Sequence, residues 1–142
     1  MGYLAQFKGH WRLHRVIEDH RAGTRLIFEG DVSMFDDGEG LTYRESGRWA
    51  RADWGGLAAT RTLLWREDPR GIGVFFGDGR PFHVFEVVRD GVSASGHDCA
   101  PDRYDVIYRF HLPMLWEADW RATGPRKDYV SRTRYDRRTE AG

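Results

Sequence analysis

PFHVFEVVRDGVSASGHDCAPDRYDVIYRF, residues 81–110, decides the fold. Three apolar, β-branched or aromatic runs are broken by Asp90-Gly91 and by Ala100-Pro101-Asp102, the pattern of a three-stranded antiparallel meander. The same alternation continues on both sides. Upstream, Trp11, Leu13, Arg15 and Ile17 share one face of a strand. Leu26, Phe28, Gly30, Val32 and Met34 form the apolar face of the next, opposed by Arg25, Glu29, Asp31 and Ser33. Further strands are expected over residues 41–46, 48–54, 60–66 and 72–76, and beyond the meander over 115–123 and 129–135. Residues 1–8 read as a short helix or coil that plugs the fold. The last residues, 136–142, read as a flexible tail.

Composition agrees with this pattern. Six Trp, six Tyr, eight Phe and 17 Gly in 142 residues favour pleated surfaces and tight turns over helices. The length suits one domain, residues 1–142, with a core that needs no staples. Lys plus Arg equals Asp plus Glu at 22 each, so no net field draws in nucleic acid or an anionic membrane. One cysteine makes no intrachain disulfide, and the N-terminus lacks the basic-then-apolar layout of a secretion signal, so a cytoplasmic location is expected.

Consecutive short strands joined by short turns leave edges that closure removes. The fold expected is therefore all-β, a single antiparallel up-and-down barrel of about 8–11 strands, wide enough for a ligand cavity. Gly9-His10-Trp11 on a first strand resembles the calycin superfamily of lipocalin-like and fatty-acid-binding-protein-like barrels. That resemblance implies that Trp11 sits at a closed end, covered by a basic residue of the last strand, Arg132 or Arg134. Together with residues 79–83 (GRPFH), 97–104 (HDCAPDRY) and 120–129 (WRATGPRKDY), residues 9–13 (GHWRL) look like a bacterial family of uncharacterised domains. Members of that family also occur attached to oxidoreductases, which implies an oxidoreductase as a docking partner.

Several polar residues fall on faces that should point inward. With a three-residue loop His83 pairs with His97 across the hairpin; with a two-residue loop it faces Asp98. Either arrangement suits a carboxylate or carbonyl ligand. A metal or haem iron at His83 and His97 is the alternative, short of the three or four ligands of a zinc site. No cofactor is expected. Cys99 shares a face with His97 at roughly 6–7 Å, too far for a nucleophile–base pair, and is expected as a small buried residue. Tyr104 and Tyr108 lie on an aromatic face and need hydroxyl partners. Arg15 on the face of Trp11 requires a carboxylate, either from a ligand or from the wall, for instance Glu86. Arg126 and Lys127, between the last two strands, stand where a mouth would close over an anion.

The expected function is non-enzymatic binding of a small, partly apolar molecule carrying an acidic or carbonyl group, lined by Trp11, Arg15, Tyr43, His83, His97, Tyr104, Tyr108 and Trp120. The enzymatic alternative is an isomerase or hydrolase-like site, with His97 as general base and Tyr104 or Arg15 stabilising negative charge. A homodimer is compatible with either.

Overall fold

The computed structural model describes residues 3–50 and 56–139. After a 3₁₀ turn, Leu4–Gln6, ten strands follow: β1 (Gly9–Asp19), β2 (Thr24–Asp36), β3 (Leu41–Trp49), β4 (Ala58–Asp68), β5 (Gly71–Phe76), β6 (Pro81–Phe85), β7 (Asp90–Cys99), β8 (Asp102–His111), β9 (Leu115–Thr123) and β10 (Asp128–Arg137). All lie in one sheet of order β6-β5-β4-β3-β2-β1-β10-β9-β8-β7, each strand antiparallel to its neighbours. The sheet rolls until its edges, β6 and β7, stand side by side. The molecule is a nearly closed up-and-down barrel. Among the described residues there is no α-helix, and no helix long and apolar enough to cross a membrane.

Alternation places the core where the sequence pattern put it. Trp11 and Leu13 of β1, Phe28, Val32 and Met34 of β2, and Val106, Tyr108 and Phe110 of β8 are all buried. Tight rolling needs close backbone approach, and Gly30 and Gly47 supply it as a facing pair of β2 and β3. A Cβ on Gly30 would lie 2.1 Å from the Ser46 carbonyl oxygen, and one on Gly47 2.8 Å from the Phe28 ring. Only glycine fits there.

One end is sealed by the N-terminal turn. Phe7 is fully buried, with its ring edge-on to Trp65 at 5.1 Å and to Trp116 at 5.4 Å, inside the favourable range for aromatic pairs. The Leu4 amide donates to the Glu67 carboxylate at 3.1 Å, and the Trp11 indole donates to the Phe7 carbonyl at 2.8 Å. The basic cover over Trp11 is Arg137, 4.2 Å from the ring, and not Arg132 or Arg134, whose side chains are exposed. Arg137 also donates to the carbonyls of Gln6, Lys8 and Pro113, tying the plug to the last strand.

Four further expectations change. The strand read over 48–54 does not stand alone: residues 48 and 49 finish β3, and residues 51–55 lie outside the described part. Strand β10 runs on to Arg137, and the Arg138 amide donates to the His10 carbonyl, so ordered structure extends into the segment read as a tail; residues 140–142 are outside the described part. The meander over 81–110 keeps its β7–β8 hairpin, but β6 and β7 share no backbone ladder. Their contacts follow a third register: the Ser95 hydroxyl donates to the Val84 carbonyl at 2.6 Å, and Phe82 meets His97. The stretch that looked like a continuous meander contains the seam of the barrel. Cys99, finally, is exposed, because its strand ends at the rim before the core begins.

Candidate ligand site

Most of the barrel interior is filled. Near its middle a void of about 30 Å³ remains, against the roughly 10–15 Å³ that one water requires. That is far narrower than the open cavity expected from strand number. Its lining is aromatic and polar: Tyr43, Trp65, His83, Tyr108, Trp116 and Tyr135 surround it, and Phe82, Trp120 and Arg61 flank it. Arg61 is 46% exposed, so the void leads to solvent on its side.

Three buried nitrogens in this lining have no hydrogen-bond partner among the described residues: the indole nitrogens of Trp65 and Trp116, and Nδ1 of His83. The three residues are only 2%, 1% and 7% exposed, so bulk solvent hardly touches them. His83 Nε2 lies 2.6 Å from the Tyr108 hydroxyl. With Tyr108 donating, Nδ1 carries the ring proton, and three of the residues that line the void each hold an unpaired N–H. Burial pushes the His83 pKa down to about 3, with the charges of His97 and Arg61 adding to the effect. The ring is neutral at neutral pH.

Beside the void lies a charged cluster. Arg15 points inward and makes a two-pronged pair with Glu45, at 2.8 and 2.9 Å, while its Nε donates to Thr133 at 2.8 Å. The wall carboxylate expected for Arg15 is thus Glu45, not Glu86. Burial alone would raise the Glu45 pKa, but the Arg15 hydrogen bonds and the charges of Arg61 and Arg15 outweigh it and hold the carboxyl at about 2. Tyr43 donates to Glu45 at 2.6 Å and lies 2.9 Å from the Tyr135 hydroxyl. Both phenols are driven upward, first by burial, and stay protonated.

The residues expected to bind ligand separate into groups. Tyr43, His83, Tyr108 and Trp120 line the void together. Arg15 is beside it through Glu45, with three of its five N–H groups engaged by Glu45 and Thr133. Trp11 belongs to the sealed end. His97 and Tyr104 face each other across β7 and β8 near the other end, rings 6.3 Å apart, both half-buried. His97 and His83 do not pair; Phe82 stands between them, 4.5 Å from His83 and 5.5 Å from His97, ring to ring. Lys127 donates to Tyr104 at 2.5 Å and pairs with Asp102 at 3.3 Å, whereas Arg126 is exposed. Trp65, Trp116, Tyr135, Glu45 and Arg61 were missed. Strand parity could have found them, since Arg61, Leu63 and Trp65 share a face, as do Tyr43 and Glu45.

Fold and site together define a small up-and-down barrel with a narrow, donor-rich interior pocket. Residues 7–137 match DUF6314, a family of unknown function, and the chain belongs to that family. Among solved structures it resembles the S-type phycobiliprotein lyase CPES from Guillardia theta, at 13% identity and TM-score 0.67 over 97% of this chain and 92% of that one. It also resembles a DUF3598 protein of unknown function from Nostoc punctiforme, at 15% identity and TM-score 0.59 over 95% of this chain and 49% of that one. At these identities the likeness is one of fold. No curated protein matches the chain.

Proposed function

We propose that this calycin-like barrel binds a small, partly apolar molecule whose carbonyl or carboxylate enters the void. The observation that carries the reading is the set of three unpartnered buried nitrogens, on Trp65, Trp116 and His83, around one void. A buried polar group without a partner costs about 1–3 kcal/mol, so three among the residues of one lining favour a molecule that brings an acceptor to them. The apolar part of the ligand lies against Phe82 and Trp120, whose stacked rings are 5.1 Å apart beside the void.

Native mass spectrometry of protein purified without heat or denaturant tests the proposal. A mass increment of small-molecule size is expected, released by organic solvent and weakened in His83→Ala. Protein that carries no increment from any expression medium, and whose three nitrogens hold only ordered waters in a crystal, contradicts it.

A further inference from the structure

We infer that Arg61 recognises charge in this pocket and that the molecule it takes is a monoanion; this rests on the binding reading above and narrows it. The argument is one of charge count. Arg15 and Arg61 bring two positive charges beside the void, and Glu45 brings one negative. Arg15 alone satisfies that carboxylate, meeting both of its oxygens in a fork–fork pair, and the Tyr43 hydroxyl takes a further lone pair. Arg61 reaches Glu45 only at 3.5 Å, the far limit of a hydrogen bond, and otherwise lies 5.9 Å over the Tyr43 ring. Its remaining N–H groups have no acceptor among the described residues.

A second cation is not needed to neutralise Glu45, and at the edge of a purely structural cluster it leaves an excess of one positive charge. Arginine carries that charge at any physiological pH and offers a planar set of donors suited to carboxylate or sulfonate oxygens. Arg61 also lines the void while being half exposed, so it stands where a ligand passes from solvent to the three buried N–H donors. A neutral carbonyl compound would satisfy the donors and leave the charge unmatched. An aromatic or otherwise apolar molecule with one acidic group matches both.

Two dyes that differ in one group test this: anilinonaphthalene sulfonate, an anion, and N-phenylnaphthylamine, which keeps the rings without the charge. Their fluorescence is titrated on the wild-type protein, Arg61→Gln and Arg61→Lys. The sulfonate should lose about tenfold or more in affinity with Arg61→Gln and less with Arg61→Lys, while the neutral dye binds all three alike. In the wild-type protein the sulfonate affinity should fall with added salt and the neutral dye's should not, a readout independent of any variant's folding. If both dyes bind and the sulfonate responds neither to Arg61→Gln nor to salt, the monoanion inference fails and the binding reading survives. If neither dye binds the folded wild-type protein, the binding reading fails and the inference goes with it.

Discussion

His83 of β6 and Tyr108 of β8 are joined at 2.6 Å, side chain to side chain, across the place where the barrel wall has no backbone ladder. The bond skips β7 and clips the seam from inside. Both groups are buried, so each depends on the other for satisfaction.

Tyr108→Phe should therefore cost about 1–3 kcal/mol, the penalty of leaving His83 Nε2 buried without a partner. Urea unfolding measures it. The double variant His83→Leu with Tyr108→Phe should be less destabilised than the sum of the two singles. Additive losses would show that the pair does not act as a unit.

The pH dependence of stability follows from the same histidine. Its folded pKa of about 3 lies below the unfolded value of 6.5, so between these values the unfolded chain takes up a proton that the native state refuses. This contribution is fully present above pH 6.5 and is lost as pH falls toward 3, with a slope of up to about 1.4 kcal/mol per pH unit. Glu45, depressed from 4.5 to about 2, adds a loss only below pH 4.5. Urea midpoints from pH 6.5 to 4.5 should drop in the wild-type protein and flatten in His83→Gln; equal slopes in the two would remove His83 as the cause.

Glu45→Ala should be the most damaging single change in the charged cluster, by about 3–5 kcal/mol, because it strands the Arg15 guanidinium, whose side chain is only 12% exposed. Thermal unfolding reads the loss. Replacing both partners, Arg15→Met with Glu45→Leu, should restore much of it, since an apolar pair of similar volume leaves no buried charge.

At the sealed end, Arg137→Ala removes a cation over Trp11 and three hydrogen bonds to plug and loop carbonyls. A loss of about 2 kcal/mol is expected, with little change for Arg132→Ala or Arg134→Ala, whose ion pairs are on the surface. Denaturant midpoints of the three variants give the ranking.

Local rules made the walls of the barrel readable. Alternation in β1, β2 and β8 named the inward rows, and turn residues named most strand ends. The seam was not readable, because Asp90-Gly91 is a hairpin signal whether or not the strands it joins form a ladder. Whether they do depends on how far the other strands roll before the edges meet. The partner of Arg15 was missed for a different reason: parity puts Glu45 on the inner face beside Tyr43, but β3 lies beyond β2 from β1, and alternation alone does not give the registers of the two ladders that bring the side chains together. Nor does strand number fix the size of the hollow, since rings such as Trp65 and Trp116, joined by Phe7 from the plug, fill most of it.

The claim that the interior void takes an acceptor-bearing ligand is tested most directly by the indole N–H resonances, assigned by single Trp→Phe variants and followed in ¹H–¹⁵N spectra as anilinonaphthalene sulfonate is added. The Trp65 and Trp116 signals should move, while that of Trp11, already bonded to the Phe7 carbonyl, stays in place. If the dye perturbs only exposed positions such as Val92 and Ile107 and leaves both indoles unchanged, the interior is not a binding site.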